Sequence, residues 1–170
     1  MLLTFQQQQA YKPISQNNKN KFDQLLSEVE NCEFRDLIGI ALLQDLQANP
    51  TTTDNAKLLN GDSFDYNGNT VSHRGLRYVL AYLIHSKYIG EVYLTDTFSG
   101  IVKKKTEQSE PATEGEIRRL QEGSRKIALS EFEIIKEYLN SKSETFTKWA
   151  CSEYKKPFTP RIYGIRKTAN

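Results

Sequence analysis

The chain has 170 residues, a hydrophobic fraction of 38% and a formal net charge of +2, which suits one domain, or one domain with extended arms. A mean hydropathy of −0.62 points to a soluble protein with much exposed surface. No apolar run approaches the roughly 18 residues of a membrane helix, and Met1-Leu-Leu-Thr-Phe turns polar at Gln6, so no secretory signal is expected.

Residues 1–17 hold Gln6 to Gln9 and Tyr11-Lys-Pro-Ile, a composition that predicts an extended N-terminal arm. Phe22, Leu25, Leu26 and Val29 recur every three or four residues, which predicts a helix from Asn18 to Asn31. A second helix is expected from Glu33 to Ala48, with Phe34, Leu37, Ile38, Leu42 and Leu46 inward. Asn49-Pro50 ends it, because proline cannot continue the ladder. A short turn of helix, Asn55 to Leu59, stops at Asn60-Gly61.

A hairpin follows over 63–71. Phe64 and Tyr66 alternate with polar residues, and Asn67-Gly68 is a strong two-residue turn signal. Ser72 then caps an apolar helix from Arg74 to Ile89, the most hydrophobic periodic element and the expected centre of the core; Gly90 is expected to end it. Residues 95–110 read as an extended segment. Thr113 with Glu116 matches a capping box, opening a long helix to about Asn140 that carries Ile117, Leu120, Ile127, Ile134 and Ile135. Phe146 and Trp149 mark a further short helix within 143–152. The fold class is therefore mainly α. A bundle of about four to five helices carries a small β-hairpin and extended terminal arms. A helical domain over 18–152 is flanked by the arm 1–17 and a basic tail 153–170.

Few residue patterns here carry chemistry. His73 and His85 lie twelve residues apart, about 18 Å along a helix, and do not share a metal within one chain. No Cys/His cluster has zinc spacing, and no glycine-rich phosphate loop or Gly-x-Ser-x-Gly elbow occurs. Asp96-Thr97-Phe98-Ser99-Gly100 places its glycine two residues too late for an aspartic-protease motif. Cys32 and Cys151 read as isolated thiols in a reducing cytoplasm, with a disulfide between them as the lesser reading. No catalytic, metal or cofactor site is expected, and the chain is read as a non-enzyme.

Charge is unevenly placed. Lys155, Lys156, Arg161, Arg166 and Lys167 give residues 155–170 five positive charges and no negative ones, so the rest of the chain carries −3. Tyr163 and other large apolar residues are interleaved with them. With Lys103, Lys104 and Lys105, these are the candidate contacts to a negative partner or to DNA phosphates. The bland alternatives are a solvated tail and an exposed strand edge defended by lysine.

An ordered series spans much of the chain. It runs Leu58-Leu59-Asn-Gly, Tyr66-Asn-Gly-Asn, Gly75-Leu76, Leu80-Ala81-Tyr82 and Tyr88-Ile89. It continues with Asp96-Thr97-Phe98-Ser-Gly100-Ile-Val102, Ser109-Glu110-Pro111 and a long Ile/Ala helix. Over about Phe22 to Asn140 this resembles the head–tail connector proteins (neck adaptors, head-completion proteins) of tailed phages and prophages of Bacteroides-like hosts, including crAss-like phages. The order and spacing carry the resemblance; no single piece is specific. It implies a virion protein of the neck whose copies form a ring of about twelve beneath the portal. Such a ring extends the DNA channel and receives tail or neck proteins. The implied partners are further copies, the portal, tail components and non-specific contact with channel DNA, with no membrane. Assembly would take place in the host cytoplasm. The family supplies no catalytic residues. Alternatives are another neck or tail-completion protein (stopper or terminator) and, from a different class, a nucleic-acid-binding accessory module using the basic tail.

Overall fold

The computed structural model describes residues 1–15, 19–97, 100–103 and 113–150. Within them the chain is mainly helical and carries two antiparallel two-stranded hairpins.

The first helix, α1 (Phe5–Tyr11), stands where an extended arm was expected. Its cause is local. Thr4 accepts from the Gln7 amide while the Gln7 side chain accepts from the Thr4 amide, closing a capping box in a glutamine run that otherwise reads as featureless. Leu2, Leu3 and Ile14 on either side are buried in the main core, so the segment docks instead of trailing.

α2 (Lys19–Val29) buries Phe22, Leu25, Leu26 and Val29, the stripe its spacing predicted. It runs into a wider π-type turn, Glu30–Phe34, where the Arg35 amide reaches back five residues to the Glu30 carbonyl. α3 (Arg35–Ile38) ends at Gly39, whose φ of 81° and ψ of 150° interrupt the helix before α4 (Ile40–Ala48). The single helix expected over 33–48 is therefore broken, at the one residue in it without a Cβ. α5 (Thr53–Asn60) leads to Gly61.

β1 (Asp62–Tyr66) and β2 (Asn69–His73) pair from Asp62–His73 to Tyr66–Asn69. Asn67 (φ 53°) and Gly68 (φ 78°) both sit at positive φ, the requirement of the primed turn that the Asn-Gly pair signals. α6 (Leu76–Tyr93) is the central helix, with Leu76, Val79, Leu80, Ala81 and Ile84 fully buried. It runs past Gly90, where it was expected to stop. A Cβ there would meet the amide end of the Gln121 side chain, so the missing side chain makes room for the neighbouring helix. Of the segment expected to be extended over 95–110, β3 (Leu94–Thr97) and β4 (Gly100–Lys103) pair as a second hairpin, while 104–110 lie outside the described residues.

α7 (Glu114–Ser141) spans 28 residues, about 42 Å. Its capping box at Thr113 and Glu116 is formed as the sequence predicted. Lying along α6, it forms the largest helix–helix contact. α8 (Thr147–Ala150) returns Phe146 and Trp149 to the core, where the Trp149 indole donates to Asn140 at 2.9 Å.

Candidate interaction surface

The β1–β2 hairpin is set on the helical body by a crossing of two chain segments. Gly61 (φ 114°) lies against the His73 carbonyl, and Gly75 (φ 85°) lies against the Leu59 carbonyl and the Gly61 amide. A Cβ on either glycine would come within 2.6 Å or 2.4 Å of backbone oxygen, so no other residue fits without moving the chain.

A polar cluster seals the same junction. The Tyr138 hydroxyl on α7 donates to Asp62 at 3.0 Å, and Lys57 and Lys142 flank that carboxylate at 3.7 and 4.0 Å. Desolvation alone would raise the Asp62 carboxyl. The Ser63 backbone bond, the Tyr138 hydroxyl and the two lysines outweigh it and hold the group below its ordinary range. Burial, then the bond to Asp62 and its charge, push the Tyr138 phenol up. The buried His73 ring lies 4.4 Å from the Tyr138 ring, and its Nδ1 accepts from the Gly75 amide at 3.2 Å. Desolvation pushes its pKa below the ordinary histidine value, against the Asp62 charge, which favours protonation, and with Lys142, which opposes it. Its Nε2 is buried with no hydrogen-bond partner among the described residues. Phe64 packs edge-on against Tyr138 at 5.5 Å, and the Glu131 carboxylate takes the Arg74 amide at 2.6 Å. The hairpin's base is thus buried and bonded to α7, while Asp65 to Thr70 at its far end are exposed and Tyr66 is 44% exposed.

The N-terminus is held with comparable tightness on another face. The buried Glu30 carboxylate accepts from the Leu2 amide at 2.8 Å and from Gln47 at 3.2 Å. Arg77 donates to the Leu2 carbonyl at 2.8 Å and also bonds Asn60. The amide of the buried Gln8 side chain donates to the Ala81 carbonyl at 3.2 Å.

α7 contributes the remaining feature. Its inner track, Ile117, Ser124, Ala128, Ile135 and Leu139, is buried. Leu120 and Ile127, expected to share that burial, are 58% and 44% exposed. They recur every seven residues with Ile134, and that period marks a second track displaced around the helix from the first. The spacing was visible in the sequence; which track faces inward depends on where α6 lies. A polar cleft of about 260 Å³ opens between α4, α5 and α8, where Asp45 binds the side chains of Asn49 and Asn55 at 3.3 and 3.1 Å.

Neither histidine joins a metal-binding group, and no cluster of three or more His, Cys, Asp or Glu suited to a metal occurs among the described residues. His85 is half-buried on α6 with Nδ1 3.0 Å from the Ser124 hydroxyl. Burial, aided by Lys12, lowers it to about 4. Cys32 is an exposed thiol, and Cys151 lies outside the described residues. Of the basic and aromatic candidates, Lys103 is the last residue of β4, with its backbone paired to Leu94. Lys104, Lys105, Lys155, Lys156, Arg161, Tyr163, Arg166 and Lys167 lie outside the described residues, as does the rest of the tail 153–170. No helix among the described residues is long and apolar enough to cross a membrane.

One family model matches more than half of the chain, residues 34–159; its description is "Family of unknown function (DUF6712)". No curated protein and no solved structure matches the chain.

Proposed function

We propose that this chain, which belongs to the DUF6712 family, is a structural virion protein. In this reading it is a head–tail connector whose copies form a ring between portal and tail and extend the DNA channel. The observation that supports it best is the β1–β2 hairpin. Its base is fixed by the Gly61–Gly75 crossing and the Tyr138–Asp62 bond, and its tip, with Tyr66, is exposed. A stiff projection on a helical body loses little conformational entropy on binding, which suits repeated docking in an assembly. A closed ring repeats one heterologous contact, and a rigid projection supplies one side of such a contact. The order of motifs from Leu58 to the long helix adds the resemblance to connector proteins.

The test is the mass of the purified chain alone and mixed with a purified phage portal protein, with electron microscopy of any ring. The expected result is a ring on the portal that Tyr66→Ala weakens without lowering thermal stability. A chain that forms no complex with the portal would overturn the reading. Steeply salt-dependent DNA binding by the isolated chain would favour the nucleic-acid module instead.

A further inference from the structure

The ring of His73 closes the hairpin base in a single protonation state. The Gly75 amide donates to its Nδ1 at 3.2 Å, so that nitrogen presents its lone pair and the proton sits on Nε2. The residue is 4% exposed, its ring lies 4.4 Å from that of Tyr138, and Nε2 has no hydrogen-bond partner among the described residues.

A second proton can go only to Nδ1. It turns the acceptor of the Gly75 amide into a donor, sets two N–H groups against each other and leaves a cation buried. The surrounding charges do not offset this. β1 supplies Asp62, but that carboxylate already accepts from the Tyr138 hydroxyl and is flanked by Lys57 of α5 and by Lys142 after α7. Asp54 of α5 acts on Tyr138. Glu131 of α7 takes the Arg74 amide, and the Arg74 guanidinium lies over the Tyr78 ring of α6. Burial and Lys142 outweigh Asp62 and hold the ring below its ordinary value.

The hairpin is built to yield without the helices. Among its strand residues only Phe64 and His73 are buried. Gly61 and Gly75, both at positive φ, stand on either side of it. We infer that His73 is a proton-operated latch: one proton taken up at Nδ1 breaks the Gly75 bond, drives the ring from beside Tyr138 and frees the β1–β2 hairpin from α7 while the helical body stays folded. The freed ring titrates near 6.5, above the seated ring. Seating is therefore strongest above pH 6.5, and below it the opening equilibrium rises by up to tenfold per pH unit until the seated ring itself titrates. The latch acts on the hairpin that the connector reading uses, but its readout needs no portal, so the two fail separately.

The test uses a His85→Gln chain, which leaves one histidine. Nitrogen NMR at pH 7.5 should show a neutral ring with its proton on Nε2. Amide exchange, corrected for its intrinsic pH dependence, should show protection over 62–73 falling severalfold between pH 7.5 and 5.5, with α6 and α7 protected throughout. His73→Asn keeps an acceptor for the Gly75 amide and removes the titration, so its hairpin protection should not change with pH. Lys142→Met removes a charge that opposes the second proton, so the loss should level off at a higher pH. A ring protonated on Nδ1 at pH 7.5, hairpin protection that is constant with pH, the same loss in His73→Asn, or a loss shared evenly with α6 and α7 overturns the inference.

Discussion

Tyr138 reaches from the last long helix to Asp62, the first residue of the hairpin, 76 positions earlier, and donates its hydroxyl at 3.0 Å. The same ring packs against Phe64, His73 and Phe146. Tyr138→Phe keeps those ring contacts and removes the bond, so it should cost about 1–2 kcal/mol in urea melts. Tyr138→Ala should cost about 3–5 kcal/mol. Equal losses for the two variants would mean that the hydroxyl, and not the packing, holds the hairpin down.

The two crossing glycines should be far less tolerant than the glycine of the turn. Gly61→Ala and Gly75→Ala add both a positive-φ penalty and a backbone clash, and each should lower stability by about 3 kcal/mol or prevent folding. Gly68→Ala has the same sign of φ but open space around it, and should cost about 1 kcal/mol. Comparing melting temperatures of the three variants separates conformational strain from close approach.

Removing the Glu30 carboxylate should free the chain's beginning. Glu30→Ala leaves the buried Leu2 amide and the Gln47 side chain without their acceptor, a loss of about 2–3 kcal/mol. Hydrogen exchange should rise first over residues 2–12, while α6 and α7 stay protected. Uniform loss of protection across the chain would show instead that α1 is part of the global folding unit.

Stability should fall on mild acidification. His85 is lowered to about 4 from an ordinary 6.5, and His73 is lowered as well. The unfolded chain takes up these protons as pH drops through about 6.5, while the folded chain still excludes them. The folded state therefore loses stability from about pH 6.5 down to about 4 and keeps its full value above 6.5. His85 should contribute roughly 1–2 kcal/mol of this after screening by solvent. His85→Gln should flatten that part of the curve in urea melts at pH 7.5 and 4.5; an unchanged curve would place the effect elsewhere.

Periodicity made α2, α6 and α7 legible, and local chemistry made the Asn67-Gly68 turn and the Thr113 capping box so. These features are set within a few residues of themselves. What was hidden depends on distant neighbours. α1 reads as an arm until Glu30, Arg77 and Ala81 supply partners for Leu2 and Gln8. Gly90 reads as a stop until Gln121 shows why a small residue belongs inside the helix. Leu120 and Ile127 read as core because their periodicity is sound, yet the side of α7 facing α6 has room for only one track. The break at Gly39 is the exception: a lone glycine in an apolar run is a local signal, and there its freedom is used.

The clamp on Leu2 also orders events during synthesis. Its amide partner lies 28 residues downstream and its carbonyl partner 75. At about 5–20 residues per second, Arg77 is made roughly 4–15 s after Leu2. Until then the Leu2 carbonyl lacks its Arg77 donor. The contacts of Leu2 and Gln8 are therefore completed only once Arg77 and Ala81 have been made.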